Sequence, residues 1–151
     1  MLSDYNLDGI GVFMKLIYET SRRIEFADTD MAGISHFTNF FRLMEEAEHE
    51  FLRSIGLDVV LNDERGKLGC PKLLAQCEFK HPALYGDLLR VVVTAELRDG
   101  KSINYEFEIT RDEQAIASGR IHVACCRFPA NALPYPIPLP DRIVDSFEIA
   151  K

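Results

Sequence analysis

Two carboxylates one residue apart, Asp28 and Asp30, stand where the hydrophobic pattern of this 151-residue chain changes period. Just before them Ile24 and Phe26 alternate with polar residues, as in a strand with one buried face. After them Phe37, Phe41, Met44, Ala47, Phe51 and Ile55 recur at three- and four-residue spacing, with Phe40, Leu43 and Leu52 widening the stripe of an amphipathic helix. A carboxylate held at such a turn can act as a nucleophile or as a general base toward water. The stretch from Arg23 to Gly56 is therefore where chemistry is expected.

The elements that must position this junction follow from the rest of the pattern. Residues 1–11 carry polar residues and glycines without a period and are expected to form a loose tail. Val12 to Phe26 is apolar and β-branched enough for a strand, with a bend or bulge expected over Glu19–Arg23. Ser35 and Thr38 are the candidate N-caps of the helix. Gly56 suits the left-handed residue after its last turn, with Leu57 placed for the accompanying hydrophobic contact. Asp58 to Gly69 reads as a loop with room for a short helix. Four strands are expected next, at Lys72–His81, Leu88–Leu97, Ile103–Thr110 and Ala115–Cys126, with a tight hairpin through Asp99 and Gly100. The proline-rich run from Phe128 should wrap the surface in extended form and end in a short helix from Asp141. One strand, one helix about 27 Å long and four consecutive strands define an α+β fold with an antiparallel sheet. Residues 1–151 are expected to form one domain, with 128–151 as a C-terminal extension.

Composition narrows the function classes. The chain is 47 % hydrophobic, enough for its own core, and its net charge of −7 gives no general basic field for nucleic acid or an anionic membrane. The N-terminal residues lack a signal-peptide pattern and no run of about 18 apolar residues occurs, so a cytoplasmic protein is expected. The four cysteines form no CxxC; Cys125 and Cys126 are adjacent and cannot easily bridge to each other, and reduced buried thiols are expected. No phosphate-binding glycine loop, dinucleotide fingerprint or serine-hydrolase elbow is present.

The stretch IEFADTDMAGISHFTNFFRLMEEAEHEFL, together with FKHPALYGDLLRV from Phe79 to Val91, resembles the hot-dog fold thioesterases, specifically their 4-hydroxybenzoyl-CoA thioesterase-like branch. The matching pieces are the D-x-D, the small pair Ala32–Gly33, the aromatic cluster with Asn39 and Phe40, and the Tyr85–Gly86–Asp87 turn. The resemblance implies a five-stranded antiparallel sheet wrapped around a central helix. It also implies edge-to-edge homodimers that can pair into tetramers, and hydrolysis of a CoA thioester without metal or redox cofactor, CoA being part of the substrate. It places the catalytic carboxylate at Asp30 and the carbonyl-polarising amides around His36 to Thr38, with Phe37 at their centre. A helix N-terminus suits a developing oxyanion, because its donors are unpaired and partly positive. Asp28 is expected either to accept turn amides or to border the substrate. Relatives with a histidine carry it where this chain has Phe37; here it sits one residue earlier, at His36, able to assist Asp30, line the acyl pocket or face a partner subunit.

Other signals stay open. Phe37, Phe40, Phe41 and Met44 can line an acyl pocket or be helix core. Gly33 and Tyr85 border the site by the same resemblance. Lys80 and Arg90, with His81, Arg98 and Lys101, are the cations available for CoA phosphates. Glu46 and His49 form half of a di-iron motif, but the second half and a second long helix are missing, so no metal is expected. They read instead, with Arg42, Glu50 and Arg53, as a charged helix face on which Glu50 and Arg53 can pair. Glu45, Glu46 and Glu48 are the alternative carboxylates of another hot-dog branch. Two rival functions remain: hydrolysis of esters on an acyl-carrier protein, and non-catalytic acyl-CoA binding.

Overall fold

Leu89, Val91, Val93, Ala95 and Leu97 are buried in alternation with more exposed neighbours, and a sheet with one covered face is the structure that alternation demands. A computed structural model describes residues 14–150 of the chain. Strand β1 (Lys15–Arg23) is followed by helix α1 (Phe37–Ser54), β2 (Val60–Asp63), β3 (Gly66–Gly69), β4 (Lys72–Phe79), β5 (Leu88–Arg98), β6 (Ser102–Arg111), β7 (Gln114–Ala124), β8 (Cys126–Arg127), β9 (Tyr135–Pro136) and helix α2 (Asp141–Ile149). The long strands form an antiparallel sheet in the order β1-β5-β6-β7-β4, and β2-β3-β8-β9 form a second, smaller sheet. The class is α+β. The expected tail over 1–11 and a strand start at Val12 lie outside the described residues.

One face of the large sheet presents Leu89, Val91, Val93, Ile103, Tyr105, Phe107, Ile109, Ile121 and Val123; α1 lays Phe40, Leu43, Met44, Ala47 and Phe51 against it, all essentially buried. Each large side chain removed from water contributes on the order of 1.5–3 kcal/mol, which is what fixes the helix to the sheet. The helix comes down where β7 carries Gly119: a Cβ there would lie 2.2 Å from the Met44 sulfur. Only a residue without a side chain permits that approach. Helix α2 covers the far end of α1, with Phe147 edge-to-face on Phe51 at 5.6 Å between ring centres.

The structure corrects three expectations. Strand β1 runs unbroken through Glu19–Arg23, paired in one register from Lys15 opposite Glu96 to Arg23 opposite Leu88. The polar run does not break it, because ladder bonds use the backbone and Arg22 is held at 2.7–2.9 Å by Glu46 and Glu50 of α1. The segment Asp58–Gly69 is not a loop with a short helix; it contains the β2–β3 hairpin, with Leu61 and Leu68 opposite each other and both buried. Neither Ser35 nor Thr38 caps α1. His36 does, its Nδ1 accepting from the Thr38 N–H at 3.3 Å. The other end of the helix is as expected, with Gly56 at φ +78° and the Leu57 N–H bonded to the Leu52 carbonyl at 2.9 Å.

Candidate active site

The chain leaving β1 is stitched to the turn between β4 and β5: the Ile24 N–H donates to the Asp87 carbonyl and the Gly86 N–H to the Ile24 carbonyl, both at 2.8 Å. Phe26–Asp28 makes one 3-10 turn. Residues 28–30 then fold back antiparallel on 34–36: the His36 N–H donates to the Asp28 carbonyl at 2.8 Å, Thr29 faces Ser35, and the Asp30 N–H donates to the Ile34 carbonyl at 2.9 Å. Met31, Ala32 and Gly33 form the reversal, which Gly33 makes possible with φ +76°. Leu84 bridges Ile34, and the Ser35 N–H donates to the Ala83 carbonyl at 2.7 Å. The D-x-D loop and the Tyr85–Gly86–Asp87 turn are thus one assembly, although about fifty residues separate them in sequence.

The two aspartates have opposite surroundings. Asp28 is buried; its Oδ2 accepts from the Glu25 N–H at 2.8 Å, its Oδ1 is paired with the Arg42 guanidinium, and its carbonyl also accepts from the Asn39 side chain at 2.5 Å. Each Asp28 oxygen thus has a partner, which fixes the carboxylate in place. Asp30 is exposed, with Oδ1 held by the Ala32 N–H at 2.8 Å and no partner for Oδ2 among the described residues. Its carboxylate is oriented by one bond and open on the other side.

The start of α1 sorts the three candidate amides. The His36 N–H is bonded to the Asp28 carbonyl, and the Thr38 N–H is bonded to the His36 ring. The Phe37 N–H has no partner among the described residues. It is the donor left over, at the positive end of an 18-residue helix. The His36 ring is tied to Thr38, with 2.8 Å from Nδ1 to the hydroxyl, and lies 4.6 Å from the half-exposed Phe37 ring.

The remaining candidates separate. Phe40 is in the core, edge-to-face with Phe79 at 5.3 Å. Tyr85 is 64 % exposed and packs edge-on against Phe26, which is 80 % exposed; two large aromatic rings thus stand in solvent beside the D-x-D loop. Lys80 is exposed just past β4, its N–H on the Ile116 carbonyl. Arg90 lies on the outer sheet face, paired with Glu19 at 2.5 Å. On α1, Glu46 is gripped by Arg22 and Arg42; burial works to raise its pKa, but the two guanidinium hydrogen bonds win and hold it below the usual carboxylate value. Glu50 pairs with Arg22 and not, as expected, with Arg53. Glu45 and Glu48 share Lys72 at 3.1 Å each, and desolvation pushes the buried Glu48 up despite that cation. No group of three or more metal-type side chains converges among the described residues.

Sequence reasoning did not foresee Arg42 and Asn39 as the groups that fix Asp28. The signal was present as an arginine and an asparagine three residues apart on the first turns of the helix, but their target lies in the preceding loop. Two cavities, of about 380 Å³ on the outer sheet face and about 40 Å³ beneath β2–β3, are lined by neither Asp30 nor Phe37. The Asp30 loop lies on open surface.

The class is thus an α+β sheet carrying one long helix, with an oriented carboxylate just before the helix start. The Thioesterase-like superfamily matches this chain over residues 24–147, and the chain belongs to that family of thioester hydrolases. It is 30 % identical over 121 residues to the 1,4-dihydroxy-2-naphthoyl-CoA hydrolase of Thermosynechococcus vestitus, covering 79 % of this chain and 83 % of the relative. The crystal structure of a 1,4-dihydroxy-2-naphthoyl-CoA thioesterase from Synechocystis superposes with a TM-score of 0.76 at 26 % identity, over 87 % of this chain and 95 % of that one. The 4-hydroxybenzoyl CoA thioesterase from Pseudomonas sp. strain CBS-3 shares the fold, at TM-score 0.73 and 18 % identity, over 86 % and 98 % of the two chains.

Proposed function

We propose that this protein hydrolyses the thioester of an aromatic acyl-CoA to the free acid and CoA. The observation that carries the reading is the Asp30 carboxylate, oriented through one oxygen and open at the other, seven residues ahead of the unpaired Phe37 N–H that begins α1. In this account the thioester carbonyl oxygen accepts from the Phe37 N–H, which stabilises the negative charge it gathers. Asp30 acts on the carbonyl carbon, either through a water it deprotonates or directly as nucleophile, the C–S bond breaking to release CoA thiolate; in the direct route water then cleaves the acyl-aspartyl anhydride to the free acid and restores the carboxylate. Asp28 serves as a positioning residue: its carbonyl occupies the His36 N–H and so keeps the helix start where Phe37 presents its donor. The reaction so drawn calls for no metal or redox cofactor.

An aromatic acyl group is favoured by the exposed Phe26–Tyr85 pair and the Phe37 ring beside the loop, which offer flat apolar surface, and by the naphthoyl-CoA named for the Thermosynechococcus relative. The open surface around Asp30 supports a site completed by a second copy. Edge strand β4 carries exposed Leu73, Leu74 and Phe79, an apolar edge that an identical β4 would cover in an edge-to-edge homodimer of the cytoplasmic enzyme. The test is thiol release from a panel of CoA thioesters: naphthoyl, hydroxybenzoyl, phenylacetyl and short, medium and long aliphatic. Fastest turnover on an aromatic member is expected; fastest turnover on an aliphatic chain overturns the substrate class, and no turnover on any overturns the activity.

A further inference from the structure

Two cysteines far apart in sequence meet in the core. In the smaller sheet Leu68 lies opposite Arg127 and Gly69 opposite Cys126, and the same register resumes with Lys72 opposite Val123 in the larger one. Between these points the Ala124 N–H donates to the Pro71 carbonyl at 3.3 Å. Cys70 therefore stands directly opposite Cys125. Because Pro71–Ala124 is the hydrogen-bonded pair, Cys70–Cys125 is the non-hydrogen-bonded one; the Cys125 N–H and carbonyl accordingly bond outward, to Lys101 at 3.1 Å and Ile137 at 2.9 Å. In such a pair the Cα atoms are about 4.5 Å apart and the side chains approach most closely, within the roughly 4.4–6.8 Å span of disulfides.

Both side chains lie on the core side, Cys125 fully buried and Cys70 half-buried, and both belong to or pack against the hydrophobic core. The neighbouring Cys70 thiol, opposed by burial and helped by the Arg127 guanidinium, lowers the Cys125 pKa, while the neighbouring Cys125 and burial raise that of Cys70. Cys70 also lines the cavity of about 40 Å³ with Glu48, Lys72 and Tyr105, and the exposed Asp58 and Val59 stand at its rim. A cavity measured by the space open to a water-sized probe holds one water in about 10–15 Å³. The cavity of about 40 Å³ therefore has room for a solute of a few atoms such as hydrogen peroxide. The other thiols face elsewhere: Cys126, next along the strand, points to the opposite side, and Cys77 lies opposite Gly119.

We propose that Cys70 and Cys125 form an oxidisable dithiol, a modification site whose reactant is a small peroxide. Peroxide transfers one oxygen to one sulfur and leaves as water. The second sulfur then displaces that oxygen as a second water, so two thiols and one hydrogen peroxide give one disulfide and two waters. The bridge ties the start of β4 to the end of β7. This inference does not depend on the thioesterase reading.

The experiment is limited hydrogen peroxide treatment of the full chain, followed by thiol titration in denaturant, intact mass and a non-reducing digest. Titratable thiols are expected to fall from four to two, the intact mass by two hydrogens, and the digest to contain the Cys70–Cys125 linked peptide, with dithiothreitol restoring all four thiols. The Cys70→Ser chain should form no bridge. If that variant does not fold, the wild-type digest decides alone. Four surviving thiols, a bridge through Cys77 or Cys126, a bridge between chains, or sulfinic acid in place of a disulfide would each overturn the proposal.

Discussion

Replacing Phe37 with proline deletes one hydrogen-bond donor and leaves the helix in place. Proline at the first helical position is well tolerated, since an N–H at that position has no intrahelical acceptor and the fixed φ of proline is helical. His36 already holds φ −62° and ψ 139°, the extended conformation a residue before proline prefers. The Phe37 ring contributes its own contacts, above all with His36 at 4.6 Å, so Phe37→Ala is the control that removes the ring and keeps the donor. An oxyanion donor removed from comparable sites lowers kcat about 10²- to 10³-fold, roughly 3–4 kcal/mol of transition-state stabilisation. Phe37→Pro should therefore turn over a CoA thioester on the order of a hundred times more slowly than Phe37→Ala. Their unfolding free energies should differ by about 0.5 kcal/mol or less, as for exposed substitutions. The assay is steady-state thiol release with the two variants side by side, thermal unfolding confirming that both fold. Equal kcat in the two folded variants would refute the assignment of the Phe37 N–H as the polarising donor.

Arg42→Met removes the cation from buried Asp28; with Arg42 itself 46 % exposed, the loss should fall between the values for exposed and buried pairs, about 1–3 kcal/mol in thermal unfolding, and kcat should fall more than KM rises because the helix start loosens. An unchanged melting temperature and kcat would count against the positioning role of this pair. Asp63 is held down from 3.8 to about 2 by its hydrogen bond from Arg127, with burial opposing and the Arg65 amide assisting. A carboxylate depressed in the folded state stabilises it above the unfolded pKa and loses that contribution as pH falls through the folded value. The stability gap between wild type and Asp63→Asn, followed by urea unfolding, should thus be full above pH ~4 and close toward pH ~2; a gap constant with pH would contradict it.

Much of this architecture was legible because burial is periodic. Val91, Val93 and Ala95 announce a strand, and Phe40, Met44, Ala47 and Phe51 a helix, since one face of each is covered by the other. The β2–β3 hairpin escaped notice because four-residue strands with one large buried side chain each, Leu61 and Leu68, are too short to display a period. His36 escaped as the cap because a ring nitrogen can do what preference scales assign to hydroxyls and carboxylates. At the site, the D-x-D spacing and the family resemblance pointed to Asp30, but the different surroundings of the two aspartates were beyond reading. They depend on Arg42 and Asn39, which reach back from the helix, and on the Tyr85–Gly86–Asp87 turn, which arrives from the other side of the sheet. Long-range pairings of this kind, Cys70 with Cys125 included, leave no local trace.

Asp30 is the group on which the proposed chemistry depends. With the best ester of the panel in hand, Asp30→Asn preserves shape and the bond from the Ala32 N–H while removing the charge that attacks or activates water. Binding of that ester by the folded variant, measured by calorimetry, should match wild type, and thiol release should fall at least ~10³-fold, as for loss of a catalytic nucleophile or base. Thiol release at the wild-type rate from a folded Asp30→Asn protein would contradict the mechanism and move the chemistry to another group.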